Sequence, residues 1–469
     1  MLDLQTQRKV KIVLSDYDYR RDIENRLLMS QFTDLDVHVL QEVLYSPLRF
    51  SLRKMARSLE IKEEILTDIL KNLGKTGLLS IDGDNVDVDK EMRKYFETQV
   101  QKFEEDFKPG MEYLAGLLKK VPIHILPAWY AVPRTSNNIF ESIIERYLAT
   151  PQVYYRYVQD FSTTHPTLSS LVKDLFSSNE LKLSGQTVIE RYRMTREQFE
   201  ETTLLLEFSL IACLRYEKIG DDWKEVITPF DEWREHLAFL RNTQAQPILD
   251  EDKIKQFRPQ DFSFVRDLTT LLQLAKTKPI SLTPTKATLA AISKRLDLDL
   301  EEEINKAYFS KLITKLHLLK LGEVGDGELR AHNNAEGWLK LSDQDKAIFL
   351  YRHLGNKLVS EHLQAQLPID KAVREAEKSL LRVLHAGWVD IEEVIEGSLI
   401  ALSDEPILVL KKAGRLWKYA RPQYTEEQKN VLRAVLKDWL FEIGAVSIAT
   451  YKNKICLKVT DFGHTLFGN

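Results

Sequence analysis

The chain has 469 residues, enough for two to four domains at roughly 100–200 residues each. Its 43% hydrophobic and 29% charged residues are those of an ordinary soluble globular chain that can bury real cores. The net charge of −4 gives no overall attraction to nucleic acid, so binding of that kind needs a local basic surface. The most apolar run, Leu204 to Leu214, is interrupted by Glu207 and is too short for a bilayer span of about 20 residues. The charged N-terminus predicts no signal peptide. We therefore expect a cytoplasmic protein without a membrane partner.

The first predicted elements form a recognisable unit near the N-terminus. Apolar residues at helical spacing alternate with short extended stretches. Ser51 is placed to cap the middle helix, Gly74 or Gly77 can end the last one, and Gly83 lies in a tight turn. The elements are, in order, the helix Leu35 to Tyr45, the strand Leu48 to Phe50, the helix Leu52 to Leu59, the helix Lys62 to Lys75 and the hairpin Leu78 to Val88.

The same order recurs along the chain. A second copy covers Leu168 to Phe230, a third covers Phe264 to Ala331, and a partial fourth runs from Glu426 to Val459. Helix, short strand, helix, turn, helix and hairpin is the order of a winged helix-turn-helix unit, which places one helix in a groove of DNA or of a partner protein. The sequence therefore predicts a mainly α protein with small β-hairpin wings, built from tandem winged helix-turn-helix domains.

Connectors divide this pattern into four predicted domains. The segment Thr243 to Gln260 is polar, contains Pro247 and Pro259, and is predicted to be a linker between two halves. The four domains are an N-terminal winged-helix domain with flanking helices (1–110), a helical connector with a second winged-helix-like unit (111–242), a third such unit (260–342) and a C-terminal helical and winged-helix-like basic domain (343–469).

Enzyme signatures are absent from the sequence. Gly74-Lys75-Thr76 resembles the end of a phosphate-binding loop, but Ile69 stands where the first glycine must let the backbone wrap the phosphates. The ten histidines are scattered, without zinc-ligand spacing. Cys213 and Cys456 lie far apart in apolar patterns, which predicts buried free thiols. We expect no catalytic activity, no cofactor and no small-molecule substrate.

Positive charge is concentrated near the C-terminus. Residues 406–460 carry eleven lysines and arginines against four acids, with Trp417, Tyr419 and Tyr424 interleaved. Cations that pair with phosphates beside rings on which bases stack are typical of a nucleic-acid contact, and a solvated basic surface is the equal alternative. The candidate nucleic-acid-binding residues here are Lys411, Lys412, Arg415, Trp417, Lys418, Arg421, Lys452 and Lys454.

A smaller basic patch lies in the first unit and could also bind nucleic acid. The charges of the predicted third helices, by contrast, disfavour DNA binding. The candidate residues of this patch are Arg49, Arg53, Lys54 and Arg57. The third helix of the second unit, by contrast, carries Glu197, Glu200, Glu201 and Glu207, and an acidic helix would be repelled from a DNA groove. The middle units are therefore expected to dock proteins, or each other.

The tyrosines between Tyr147 and Tyr157, followed by Phe161, allow two interpretations. They could form a platform on which bases stack. Aromatic side chains at helical spacing more often pack helices together, and we favour that interpretation.

The C-terminal part of the chain resembles a known family. From about Phe264 onward, Ile280-Ser281-Leu282-Thr283 followed by the helix Lys286 to Leu296, then Gly337 to Ser342, and finally Leu457 to Gly463 are similar to the motor-less winged-helix region of bacterial XPB-type DNA helicases. The resemblance covers somewhat under half of the chain, and the ATPase motor motifs of the family are missing. It implies a DNA-associated helical and winged-helix module, an accessory to a larger machine.

Two hypotheses follow. The leading one is a non-enzymatic, DNA-associated accessory or regulatory factor that contacts DNA through its basic C-terminal region and proteins through its other units. The alternative is a winged-helix adaptor that assembles proteins, or copies of itself, without binding nucleic acid.

Overall fold

The computed structural model describes residues 19–118, 139–220, 222–298, 302–353, 369–400, 402, 409–414 and 416–468. The chain forms two compact units. Unit 1 comprises residues 1–239 and 408–420, and unit 2 comprises residues 240–407 and 421–469. The described part is mainly helical with small antiparallel sheets, which confirms the predicted mainly α class. The division into four domains stays a prediction.

Unit 1 is built from short helices and three small sheets. Its helices are Tyr19–Met29, Asp34–Tyr45, Leu52–Ser58, Glu63–Gly74, Lys90–Gln99, Val100–Phe103, Met111–Leu118, Ile139–Ile143, Ile144–Leu148, Pro151–Thr164, Pro166–Ser177, Gly185–Tyr192, Arg196–Phe208 and Asp231–Asn242, the last of which runs past residue 239. Its strands are Arg49–Ser51, Leu79–Asp82, Asn85–Val88, Leu183–Ser184, Ala212–Ile219, Asp222–Pro229, Leu410–Ala413 and Leu416–Tyr419.

Unit 2 follows the same style. Its helices are Glu251–Lys253, Ser263–Thr277, Lys286–Arg295, Glu302–Leu318, Ala335–Leu339, Asp343–Arg352, Ile369–Glu377, Lys378–Arg382, Ile391–Glu396, Glu426–Ala434, Val435–Trp439, Leu440–Glu442 and Asp461–Phe467. Its strands are Lys255–Gln256, Ile280–Ser281, Gly322–Gly325, Glu328–Ala331, Val389–Asp390, Val446–Tyr451 and Lys454–Val459.

One order of elements recurs four times, and we call its occurrences copies 1 to 4. Each contains a helix, a short strand, a middle helix, a third helix and a hairpin. In every copy the short strand pairs antiparallel with the second hairpin strand, which lies between it and the first hairpin strand. The copies span residues 34–88, 166–229, 263–331 and 378–459, and their third helices are Glu63–Gly74, Arg196–Phe208, Glu302–Leu318 and the continuous helical stretch 426–442.

A left-handed residue follows the third helix of each copy, three residues after its end in copy 1 and two residues after it in copies 2 to 4. These residues are Gly77, Leu210, Lys320 and Gly444. In copies 2 to 4 the next N–H donates to the carbonyl five residues earlier, as in Ile211 to Leu206 (3.0 Å) and Ala445 to Leu440 (2.8 Å). This closure satisfies carbonyls that the helix leaves open and turns the chain into the hairpin. A recurring backbone device is therefore what joins helix to hairpin.

Local sequence signals account for many element boundaries. The Ser51 hydroxyl accepts a hydrogen bond from Lys54 N (3.2 Å), which confirms the predicted cap. Thr33 begins its helix with a reciprocal capping box with Asp36. Gly83 takes a positive φ of 60° in the first hairpin, as its turn requires.

Copy 4 is more complete than the sequence pattern indicated. The strand Val389–Asp390 pairs with Lys454–Val459 and is followed directly by the helix Ile391–Glu396. Residues 397–425 separate this middle helix from the third helix. Within them, Leu410–Ala413 and Leu416–Tyr419 form a hairpin that belongs to unit 1. Because this insertion interrupts the spacing of the elements, the sequence pattern indicated only the second half of the copy.

The polar composition of the segment Thr243 to Gln260 predicted a linker between two halves, and this prediction is wrong. The boundary between the units lies at residue 239, and the segment is built into unit 2. Lys255–Gln256 pairs with the strand Val446–Tyr451, and Ile248 N donates to Trp388 O (2.8 Å). Ile248 and Ile254 pack against the buried Trp388. A few apolar residues anchor the segment in unit 2. The polar average composition of the segment did not indicate them.

Candidate nucleic-acid interface

The hairpin of residues 410–419, which we call the basic hairpin, holds three exposed lysines of the predicted site. Its register sets Lys411 opposite Lys418 and Lys412 opposite Trp417. All three lysines are exposed, and the described part of the chain provides no ion pair for any of them. Like charges directly opposite each other destabilise a hairpin. An anion bound between Lys411 and Lys418 would remove that repulsion.

One face of the basic hairpin anchors it to unit 1. Leu410 and Tyr419 are an opposed pair and both are buried. Leu410 N donates to Ala149 O (2.9 Å), and the Tyr419 hydroxyl donates to Leu148 O (3.0 Å). Because side chains alternate between the faces of a strand, Lys411 and Lys418 lie on the opposite, outward face. The packing that fixes the hairpin thus presents these lysines to solvent.

The aromatic residues of the basic segment are used for packing. Tyr419 is buried against Trp233, with ring centroids 6.4 Å apart. Trp417 is half-buried edge-to-face against Phe140, with centroids 6.0 Å apart. The Tyr424 hydroxyl is bonded to both backbone groups of Ile400. Tyr419 therefore offers no open face for base stacking, and packing or hydrogen bonding already engages Trp417 and Tyr424.

The structure divides the predicted C-terminal site between the two units. Lys411, Lys412, Trp417 and Lys418 belong to unit 1, whereas Arg421, Lys452 and Lys454 belong to unit 2. Lys454 is paired with Asp390 at 2.7 Å, and Lys452 lies over the Tyr451 ring. Arg415 lies outside the described residues. The run of cations in the sequence therefore does not correspond to one surface within a single unit.

In the first patch, two of the four cations have acidic neighbours. Arg49 is 3.5 Å from Asp87, and Arg53 is 4.0 Å from Asp84. Asp84 also accepts from Arg53 N and from the Ser51 hydroxyl, and these hydrogen bonds lower its pKa. Lys54 and Arg57 are exposed on the middle helix. The hairpin of copy 1 thus supplies acids that offset part of this patch, which sequence spacing did not reveal.

Two of the four acids of the third helix in copy 2 are buried, whereas Glu197 is exposed and Glu201 is half-buried. Glu200 and Glu207 are fully buried, and both pair with Arg26 of the helix Tyr19–Met29. From Phe199 onward no side chain of this third helix is exposed. The prediction of an acidic surface that would repel DNA is therefore wrong for Glu200 and Glu207. They are internal partners of buried cations, and the helix is covered.

In unit 2 the third helices of copies 3 and 4 are joined by charge. Lys311 lies 3.0 Å from Asp438 and 2.8 Å from Glu442, and Lys315 lies 2.6 Å from Glu442. Lys315 and Glu442 are both almost completely buried. These two helices bury their charged faces against each other. Of the four third helices, the one in copy 1 has the most exposed outer face in the described part of the chain.

The aromatic residues between Tyr147 and Phe161 mostly pack within unit 1. Tyr154 and Phe161 are buried, and the hydroxyls of Tyr154 and Tyr157 donate to Leu210 O and Ser209 O at 2.6 and 2.7 Å. The favoured interpretation, helix packing, is confirmed for these residues. Tyr155, by contrast, is 56% exposed.

A buried carboxyl group lies next to the anchor of the basic hairpin. Glu232 accepts a hydrogen bond from Met111 N (2.8 Å), and its neighbour Trp233 contacts the Tyr419 ring. Burial raises the pKa of Glu232 to about 7, because water no longer stabilises the carboxylate. The protonation of this group therefore changes in the neutral range.

Glu232 is expected to make the stability of unit 1 depend on pH. Between its ordinary pKa of 4.5 and about 7 the folded state keeps the proton that the unfolded state has lost, so stability falls as pH rises and levels off above that range. Urea unfolding of Glu232→Gln at pH 5 and pH 8 should show a pH dependence smaller by about 2–3 kcal/mol than in the unsubstituted protein. Glu200, whose pKa is also about 7, is present in both proteins and cancels. An equal dependence in both proteins, or the same change in the exposed control Glu235→Gln, would contradict the assignment.

The described residues contain no cluster of three or more histidine, cysteine, aspartate or glutamate side chains placed to hold a metal ion. Cys213 and Cys456 are free and buried, which confirms the prediction for both thiols. Across the described ranges, every helix is too short or too polar to cross a membrane. Comparisons with family models, with curated proteins and with solved structures found no match. The resemblance to the helicase-associated region therefore stays a prediction.

Proposed function

We propose that the protein is a non-enzymatic, DNA-associated factor that contacts the phosphate backbone through the basic hairpin. The observation that carries the proposal is the opposed, exposed pair Lys411 and Lys418, with the exposed Lys412 on the other face of the same hairpin. Repulsion between these cations is relieved when a phosphate lies between them, and release of condensed counterions adds to the binding free energy.

We further propose that the four copies are winged helices. The recurring element order, the common strand order and the left-handed residue after each third helix support this assignment. In copies 2 to 4 the third helix packs against other helices of the same unit. We therefore assign those helices to contacts within the protein and not to DNA. The proposed DNA contact thus uses an inserted hairpin in place of a recognition helix.

The proposed contact reads phosphates and not bases. Trp417 and Tyr419 face the body of unit 1, which leaves the lysines as the binding groups. Phosphate contacts position a protein on DNA without carrying sequence information. We therefore propose binding that depends weakly on base sequence and strongly on salt.

The test is the binding of the full-length protein to a labelled mixed-sequence duplex and to a single strand, from about 50 to 200 mM salt. Replacing Lys411, Lys412 and Lys418 with glutamine should weaken duplex binding and make the slope of log affinity against log salt shallower by about 3, one for each lost phosphate contact.

A matched control carries glutamine at three exposed lysines elsewhere in unit 1, namely Lys90, Lys94 and Lys108. It should keep the slope of the unsubstituted protein. Equal losses in both variants would mean diffuse charge attraction, and unchanged binding in the hairpin variant would remove the assigned surface. No binding at 50 mM salt would remove the DNA proposal itself.

A second candidate function is a protein adaptor that binds no nucleic acid. It is favoured by the docking of third helices inside the protein, through Arg26 with Glu207 in unit 1 and Lys315 with Glu442 in unit 2. A module that already uses these faces for protein contacts is suited to assembly. This candidate predicts a co-purifying partner or an oligomer, and no DNA affinity at physiological salt.

A further inference from the structure

The third helix of copy 1, Glu63–Gly74, carries an ordered stripe of charge on its outer side. Glu64, Asp68, Lys71 and Lys75, the last at the helix end, follow one another at intervals of four, three and four residues, so they lie along one face. All four are exposed, and the opposite face is buried through its leucines and Ile69. The stripe reads acid, acid, base, base from the start of the helix to its end.

This order is complementary to itself when two such helices run antiparallel. A twofold axis near the middle of the helix places Glu64 opposite Lys75 of the second copy and Asp68 opposite Lys71, and symmetry repeats both pairs. We infer that the helix Glu63–Gly74 is a self-association surface whose occupant is the same helix of a second copy of this chain.

The protein already contains a pairing of this kind. The third helices of copies 3 and 4 meet through Lys311 and Lys315 on one side and Asp438 and Glu442 on the other. The arrangement joins equivalent helices by opposite charge, as the inferred dimer does. In copy 1 the equivalent face is uncovered, and its charge pattern suits a partner identical to itself.

The exposed apolar residue at the edge of the stripe suits the same arrangement. Ile65 is 45% exposed and, one residue after Glu64, lies about 100° from it around the helix, beside the stripe. Ile65 would then lose solvent-exposed apolar surface on association.

The contacts that the stripe residues make within their own helix can be replaced by contacts to a second copy. Lys71 lies 3.8 Å from Asp68 of its own helix, and Lys75 donates to Asn72 (2.9 Å). Both contacts are exposed and therefore contribute little stability. A helix of about 18 Å offers less area than most stable interfaces bury, so the dimer should be weak and salt-sensitive.

The test is sedimentation equilibrium of the full-length protein over a range of concentrations, at low and high salt. The unsubstituted protein should approach twice the monomer mass at low salt and high concentration, and salt should dissociate it. K71E/K75E makes the stripe wholly acidic and E64K/D68K makes it wholly basic, so each should stay monomeric alone. A mixture of the two should restore the dimer, and so should the fourfold reversal E64K/D68K/K71E/K75E.

Lys90→Glu with Lys94→Glu, on an exposed helix of the same unit, is the charge-matched control and should associate like the unsubstituted protein. Circular dichroism checks that each variant is folded, and rescue by mixing does not depend on comparing stabilities. A monomeric unsubstituted protein at every concentration would overturn the inference. A dimer that both double variants retain would overturn it as well. Neither result bears on the basic hairpin, which is tested by DNA binding.

Discussion

Replacing Arg26 with alanine is expected to lower the free energy of unfolding of unit 1 by about 3–5 kcal/mol. Arg26 is 1% exposed and lies between two buried glutamates, in contact with Glu207 and 3.8 Å from Glu200. It also donates to the Thr203 hydroxyl (3.2 Å). Removing one partner leaves carboxylates without their counter-charge in a low-dielectric interior, which costs far more than losing an exposed ion pair.

The neighbours of Arg26 explain why the loss is not readily compensated. Glu207 is also 2.8 Å from Lys102 and accepts from Leu214 N (3.0 Å). Burial acts to raise the pKa of Glu207, but the charges of Arg26 and Lys102 outweigh it and hold the pKa below its ordinary value. Glu207 therefore stays ionised at neutral pH in the unsubstituted protein. Without Arg26 the pKa of Glu207 is expected to rise, but a proton taken up by Glu207 would leave the buried Lys102 without its counter-charge.

Urea unfolding followed by circular dichroism and tryptophan fluorescence measures this effect. The control is Arg191→Ala, which removes an exposed arginine paired with Asp174 at 2.7 Å in the same unit. That change should cost less than about 1 kcal/mol. If Arg26→Ala is no more damaging than Arg191→Ala, Arg26 is not a buried counter-charge.

In unit 2, Glu442→Ala is expected to destabilise by a similar amount, about 3–5 kcal/mol. The carboxylate forms ion pairs with two lysines of the neighbouring third helix, and Lys315 is only 1% exposed. Lys311 keeps Asp438 as a partner at 3.0 Å, whereas Lys315 loses the carboxylate that lies 2.6 Å from its ammonium group. The penalty is therefore expected to come mainly from the loss of this counter-charge at the buried Lys315 ammonium group.

A double variant separates buried charge from lost packing. Lys315→Met with Glu442→Leu replaces the pair by apolar groups of comparable size and should recover most of the stability, because an apolar pair avoids the cost of desolvating two ions. Glu336→Ala, which removes an exposed partner of Lys276, is the control and should change stability by less than about 1 kcal/mol. A double variant as unstable as Glu442→Ala would show that shape, and not charge, joins the two helices.

Several elements could be predicted from neighbouring residues alone. The Ser51 cap, the Gly83 turn and the left-handed turn at Lys452 and Asn453 depend on interactions within a few residues. The four helix-and-hairpin patterns also follow from local spacing, since amphipathic helices and short hairpins carry their own periodicity. The mainly α class with small hairpins was predictable for that reason.

The candidate interface was only partly predictable. The lysines of the basic hairpin stand out as a local run of charge, and Lys411, Lys412 and Lys418 are exposed as expected. The sequence did not indicate that Tyr419 is buried under the hairpin, or that Lys452 and Lys454 belong to the other unit. Proximity along the chain is a poor guide to proximity in space when a hairpin leaves one unit to pack in another.

The pairing of distant charges was decided by the tertiary structure. Glu200 and Glu207 look like a solvated acidic face in the sequence, and only the packing of the helix Tyr19–Met29 turns them into buried partners of Arg26. Likewise, Val389–Asp390 is a strand because Lys454–Val459 lies beside it. Caps, turns and amphipathic spacing were legible because they act over a few residues. Burial and ion pairing between segments more than a hundred residues apart depend on long-range packing that no short stretch of sequence encodes.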